Sequence, residues 1–161
     1  FSGLLYVGLA LTSNGPKVVE FNCRFGDPET QVVLALLDSP LGELLHAVAT
    51  GRLADFGPLR WRDAAAVVVV VASENYPATP VTGDVIDGVD DAAAVPGVAV
   101  LHAGTSLDAD GRLVTAGGRV LGVTATGTDI AAARESAYEA VRRLRIRGSH
   151  YRTDIAAAVS S

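Results

Sequence analysis

Apolar and polar positions change period several times along this chain, and each change marks an element. Leu4 to Leu11 is an apolar run that reads as a strand. Ser13-Asn14-Gly15-Pro16 is a turn signal, because Asn and Gly tolerate positive φ and Pro punctuates. Lys17 to Asn22 reads as a second strand, so residues 4–22 form a predicted hairpin with a four-residue loop. Asp27-Pro28-Glu29 then starts a helix, with Asp27 as cap, Pro28 in the first turn and an acid near the positive end of the dipole. Val32, Val33, Leu36 and Leu37 supply its apolar face, Pro40 ends it, and Leu41 to Ala49 reads as a further short helix closed by Gly51.

Residues 51–63 collect Gly51, Gly57, Pro58 and several charges, and a boundary is expected there. The organisation is thus 1–63 followed by 64–161. Ala64 to Ala72 is a β-branched strand, buried on both faces or covered by a helix. Asn75-Tyr76-Pro77 and Thr79-Pro80 read as loop. Val98 to His102, Arg112 to Thr115 and Arg119 to Ala125 read as strands, with an Asp-rich turn at Asp108 to Gly111. Asp129 to Leu144 is the main helix, capped by Thr128 or Asp129, and its alanines make a small-residue face. A short tail helix is expected near Thr153 or Asp154. The fold class is α+β: a hairpin with helices, then a small, mostly antiparallel sheet with one covering helix.

Composition narrows the function. With 49% hydrophobic and 19% charged residues the chain can build a core. No apolar run approaches the roughly 20 residues of a membrane helix, and no signal-peptide pattern stands at the start. A net charge of −5 argues against nucleic acid as a partner. Arg142, Arg143, Arg145 and Arg147 read as a solvated helix end. Cys23 is the single cysteine, so no internal disulfide can form, which fits a reducing, cytoplasmic setting. The chain starts at Phe1, inside a strand-like run, and reads as a fragment whose N-terminal partner is missing.

The densest run of polar function is Glu20 to Glu29. Strand alternation puts Glu20 and Asn22 on one face. A carboxylate and an amide oxygen so placed can share one hard cation, such as Mg²⁺ on nucleotide phosphates. Arg24 continues that face and suits bidentate phosphate or carboxylate clamping. Gly26 and the amides after Asp27 make a helix N-terminus that favours anions. Cys23 alternates away and reads as packing. Trp61 and Tyr138 are expected in or beside the core, His46 and His150 at the surface, and His102 as structural. Gly117-Gly118-Arg119 reads either as a β-bulge with a surface arginine or as a close backbone approach to a substrate.

Pro16-Lys17-Val18-Val19-Glu20-Phe21-Asn22 resembles the metal-binding strand of ATP-grasp ligases. Arg24-Phe25-Gly26-Asp27-Pro28-Glu29-Thr30-Gln31 resembles the signature of the phosphoribosylamine–glycine ligase family. Matches continue at Tyr76-Pro77, His102-Ala103-Gly104-Thr105, Gly117 to Leu121 and Tyr151-Arg152-x-Asp154-Ile155. One departure stands before Tyr76, where Asn75 replaces the usual Gly.

The resemblance implies an ATP-grasp carbon–nitrogen ligase of purine biosynthesis. ATP phosphorylates glycine, and 5-phosphoribosylamine attacks the glycyl phosphate to give glycinamide ribonucleotide, ADP and phosphate. By position it makes Glu20 and Asn22 ligands of Mg²⁺ or Mn²⁺, Arg24 the catalytic contact to phosphate, and Gly26, Asp27 and Arg119 substrate-binding. It makes residues 1–63 the end of the ATP-grasp domain and 64–161 the C-terminal domain. The implied partners are ATP, glycine, 5-phosphoribosylamine and the missing N-terminal part of the same protein, with neither nucleic acid nor membrane. Another ATP-grasp carboxylate–amine ligase and a non-catalytic interaction module are the alternatives.

Overall fold

The structure is a computed structural model, and it describes residues 1–160. It divides into two compact units, Phe1–Arg62 and everything from Asp63 onward.

In the first unit β1 (Tyr6–Thr12) and β2 (Gly15–Asn22) form an antiparallel hairpin. The turn is two residues long, Ser13-Asn14, rather than the four expected. Thr12 pairs with Gly15, whose φ of 86° supplies the reversal, and Pro16 enters the ladder opposite Leu11. A proline is tolerated there because the strand lies at a sheet edge. The register shifts between Gly8 and Leu9, since Gly8 faces Glu20 while Leu9 faces Val18. Val19 is therefore the extra residue of a β-bulge, a device that re-aims the side chains beyond it.

α1 (Glu29–Leu36) starts one residue later than its signal suggested. Asp27 does not cap it: Pro28 holds the cap position without a side-chain bond, and Asp27 Oδ1 instead accepts from Gln31 Nε2 at 2.9 Å. α2 (Leu41–Ala49) runs as expected, and a short α3 (Leu53–Phe56), which no sequence signal announced, lies in the stretch where a boundary is expected. A strand-like bridge joins Leu37 to Trp61, and Ser39 Oγ accepts from the Arg60 amide at 2.8 Å. Leu4, Phe25, Leu37, Leu44, Leu59 and Trp61 help line an apolar groove of about 460 Å³ within this unit. Trp61 is therefore half exposed, not core. Leu11, Val18, Val19 and Phe21 of the hairpin are also exposed, as a two-stranded ribbon alone cannot bury them.

The second unit holds the core. β3 (Ala65–Ala72), β8 (Arg119–Gly127) and β5 (Val98–His102) form an antiparallel sheet with β8 in the centre. α5 (Ile130–Arg143) covers one face. Its alanines at 133, 137 and 140 are fully buried, which lets the helix lie close to the sheet. Val69, Leu121 and Val123 beneath it are fully buried too, each contributing about 1.5–3 kcal/mol. Asp129 caps α5 by accepting from the Ala132 amide at 2.8 Å, as its sequence position predicts.

Smaller pieces surround this sheet. β4 (Ile86–Asp87) pairs with β9 (Arg145–Ile146), β6 (Thr105–Leu107) pairs with β7 (Leu113–Thr115), and α4 (Val89–Ala93) packs near α5. β4, α4 and β6 are too short for a periodic signal. The tail carries a single 3₁₀ turn at Ala157–Val159, later than expected. It is anchored by Tyr138, whose hydroxyl donates to the Arg152 carbonyl at 2.7 Å and accepts from the Ile155 amide at 3.1 Å.

Candidate functional site

The bulge at Val19 sets the geometry of the site. Beyond it, Glu20 pairs with Gly8 and Asn22 with Tyr6, so all four residues share one face of the hairpin. Asn22 Nδ2 donates to Glu20 Oε1 at 3.0 Å, which brings the two predicted metal ligands together. This bond leaves the Asn22 amide oxygen and the second Glu20 oxygen as acceptors. Gly8 makes room for the arrangement: a Cβ there would lie 3.2 Å from Glu20 Cγ.

Strand β2 ends at Asn22, so Arg24 leaves the ladder. Its Nη1 donates to the Phe25 carbonyl at 2.8 Å, and its side chain is exposed. Gly26 is buried. A Cβ on it would come within 2.6 Å of Glu29 Oε2 and 3.1 Å of the Tyr6 ring, so a larger residue there would displace the Glu29 carboxylate and press on the ring. Asp27 is tied to Gln31, one turn into α1. Cys23 is exposed rather than packed.

Two residues went unnoticed in the sequence reading. Tyr6 lies in this face beside Glu29, and burial followed by the negative charge of Glu29 pushes its phenol pKa up. Gly8 gives Glu20 its space. The signal that could have found them is the Tyr6-x-Gly8 alternation in β1, read in register with Glu20-x-Asn22.

Among the described residues there is no cluster of three His, Cys, Asp or Glu that could hold a metal by itself. The donor set of Glu20 and Asn22 nonetheless fits a hard cation that takes one or two protein oxygens and completes its shell with water and phosphate.

Arg119 belongs to the second unit, at the start of β8. A register shift sits beside it: Val71 faces Leu121 and Ala72 faces Arg119, leaving Val120 as the bulged residue. The two preceding glycines are tightly held. Ser73 Oγ donates to the Gly117 carbonyl at 3.0 Å, the Ser73 amide donates to the Gly118 carbonyl at 2.9 Å, and the Tyr76 ring lies where a Cβ on Gly118 would be. Gly104 meets Gly117 back to back, with a Cβ on Gly104 falling 2.8 Å from Gly117 Cα. The motifs at Tyr76, His102 to Thr105 and Gly117 to Arg119 are therefore one node at one end of the sheet. His102 Nδ1 pairs with Thr105 Oγ1 at 3.1 Å within it. Asn75, with φ at 70°, adopts the left-handed backbone for which Gly is otherwise used. His46 and His150 are exposed.

Two family models match the chain. Phosphoribosylglycinamide synthetase, C domain, matches residues 66–158, and phosphoribosylglycinamide synthetase, ATP-grasp (A) domain, matches residues 1–30. Among curated relatives, a phosphoribosylamine–glycine ligase of Streptomyces coelicolor is 64% identical over 159 residues, covering 98% of this chain and 38% of its own. One of Mycobacterium tuberculosis strain H37Rv is 62% identical over 155 residues, covering 96% and 35%. The chain thus spans little more than a third of the length of these relatives. Among solved structures, phosphoribosylamine–glycine ligase of Thermotoga maritima aligns with a TM-score of 0.77 at 36% identity, covering 94% of this chain and 36% of that one. N5-carboxyaminoimidazole ribonucleotide synthetase from the same organism aligns with a TM-score of 0.62 at 19% identity, over 90% and 37% of the two chains, a likeness of fold.

Proposed function

The chain belongs to the phosphoribosylglycinamide synthetase family, and from that premise we propose that its parent protein ligates glycine to 5-phosphoribosylamine at the expense of ATP. The observation that carries this reading is the pairing of Glu20 with Asn22 on one face of the hairpin, at the start of the Arg24 to Gln31 run. The product is glycinamide ribonucleotide, a step of purine biosynthesis. Residues 1–63 are the end of the ATP-grasp domain, and 64–161 the C-terminal domain. The exposed apolar faces of the hairpin and the groove beside Trp61 pack on the remainder of the parent.

Glycine's carboxylate oxygen attacks the γ-phosphorus of ATP, and the bond to the β-phosphate oxygen breaks to release ADP. The amine of phosphoribosylamine then attacks the acyl carbon of glycyl phosphate. It loses a proton, the bond from the acyl carbon to the phosphate oxygen breaks, and inorganic phosphate departs with that oxygen and the bonding pair. Glu20 and Asn22 would hold Mg²⁺ or Mn²⁺ through a carboxylate and an amide oxygen. A divalent cation bound there supplies charge neutralisation on the phosphates. Arg24 spends one N–H on the Phe25 carbonyl, and a guanidinium has four more donors for the transferring phosphoryl group. Gly26 and Asp27 line the substrate side of this turn, and Arg119 is assigned to substrate binding by its place in the family's motif. No nucleophilic side chain is needed, because both attacking atoms belong to substrates.

The test is a ligase assay on the full-length parent with glycine, ATP, Mg²⁺ and fresh phosphoribosylamine, comparing wild type with Glu20→Ala. The expected result is glycine-dependent ADP release that requires phosphoribosylamine and falls about 100-fold or more in the variant. Turnover only with a different carboxylate and amine would overturn the substrate assignment. Full activity in Glu20→Ala would remove Glu20 as a ligand.

A further inference from the structure

Ser73 is the first residue beyond β3, and it is only 1% exposed. A hydroxyl so buried needs an acceptor, and it finds one across the sheet. Its Oγ donates to the Gly117 carbonyl at 3.0 Å, with the Gly118 carbonyl 3.3 Å away. The Ser73 amide donates to the Gly118 carbonyl at 2.9 Å. All of these contacts fall on the two residues that precede Arg119.

A different segment holds the other flank. The Gly104 amide donates to the Arg119 carbonyl at 2.8 Å, and the Ala116 amide donates to the Gly104 carbonyl at 2.7 Å. Arg119 therefore enters β8 between two clamps, one from the end of β3 and one from the turn after β5. The bulge at Val120 follows at once, and a bulge re-aims the side chains beside it. Only the Ser73 clamp includes a side-chain hydrogen bond, which a substitution can remove without breaking the ladder. Arg119 is exposed at this end of the sheet, with contacts of its own besides these.

We propose that Ser73 is a positioning residue of the substrate site, setting through the Gly117 and Gly118 carbonyls where the Arg119 backbone stands and so where its guanidinium reaches. This rests on the ligase reading above and on the substrate role assigned there to Arg119. Ser73 is sealed from solvent and touches no substrate itself. A shifted anchor leaves the guanidinium intact but off its target, and the loss falls on binding of the group it meets.

The experiment is steady-state kinetics on the full-length parent, with glycine, ATP and phosphoribosylamine each varied in turn and thermal midpoints alongside. The variants are Arg119→Ala, Ser73→Ala, Ser73→Cys, the double variant Ser73→Ala/Arg119→Ala, and Asp129→Ala. Arg119→Ala should raise KM for one anionic substrate about 10-fold or more, the scale of a lost hydrogen bond to a charged group. Ser73→Ala should raise that same KM about 5–10-fold, below the about 100-fold of a full 1 Å misplacement. Its kcat and its other two KM values should stay within about twofold of wild type. Ser73→Cys, which keeps the side chain's shape but only a weak donor, should match it. The double variant should be no worse than Arg119→Ala alone, since both changes act on one contact. Asp129→Ala removes the α5 cap beyond the far end of β8, so it should lower the midpoint and leave every KM unchanged.

Wild-type KM values in both Ser73 variants, beside a raised one in Arg119→Ala, would overturn the positioning role. So would losses that multiply in the double variant, or a KM rise in Asp129→Ala equal to that in Ser73→Ala, which marks general loosening of the fold. Wild-type KM values in Arg119→Ala would remove its substrate role and this inference with it. A wild-type parent that releases no glycine-dependent ADP would overturn the ligase reading itself.

Discussion

Asn22 donates one amide proton to the Glu20 carboxylate across 3.0 Å, so the two oxygens expected to share a cation are oriented by their own hydrogen bond. Residues two apart on a strand point the same way, and the bulge at Val19 decides that this common direction is toward Gly8 and Tyr6. Asn22 thus has two tasks in the proposed site, ligand and orienter.

Asn22→Ala should therefore weaken metal binding by more than one lost ligand, since Glu20 is left free to rotate. Loss of an orienting partner alone costs about 10–100-fold in metal affinity. The check is a Mg²⁺ or Mn²⁺ titration of nucleotide binding by the full-length parent. An apparent metal affinity within twofold of wild type would refute the pairing's role.

The Gly118–Tyr76 contact makes a packing prediction. The Tyr76 ring occupies the space of a Cβ on Gly118, so Gly118→Ala must displace the ring or the strand end, at a cost of about 1–3 kcal/mol. Gly42 offers the contrast: it lies in α2 with nothing within 4 Å of its notional Cβ. Gly42→Ala should stabilise by about 0.5–1 kcal/mol through helix propensity and a less flexible unfolded chain. Hydrogen exchange of the β8 and α2 amides reads the two effects separately. Equal effects of the two substitutions would contradict the assignment.

Asp108 makes a pH prediction. Its carboxylate is held below the ordinary aspartate range, first by the Arg112 backbone N–H at 2.9 Å and further by the Arg112 side chain at 2.8 Å. A folded pKa below the unfolded one means stability that is present above about pH 4, the unfolded value, and lost as pH falls through the folded pKa. Asp108→Asn should lower the thermal midpoint at pH 7, and the two curves should converge as pH drops below about 4. A gap between wild type and variant that widens on acidification would reverse the sign and sink the account.

Much of this protein is legible from its sequence because the relevant physics is local. The valine run of β3, the alanine face of α5 and the cap at Asp129 are each set by neighbours within a turn or a strand. The shared face of Glu20 and Asn22 is a matter of two-residue alternation, and the motif from Arg24 to Gln31 is contiguous. The misread cap has a local cause as well: Asp27 and Gln31 stand one helical turn apart and bond to each other in place of the backbone.

What tertiary structure alone decided is whatever depends on register and on meetings distant in sequence. One extra residue in β2 chooses which side chains of β1 face Glu20 and Asn22, and no local pattern announces a bulge at Val19. Tyr6 reaches Gly26 and Glu29 across twenty residues, and Tyr76 reaches Gly118 across more than forty. Trp61 and Cys23 are large or apolar enough to belong inside, yet both lie exposed in the first unit. Composition says that a side chain gains by burial, and only the folded chain says what lies against it.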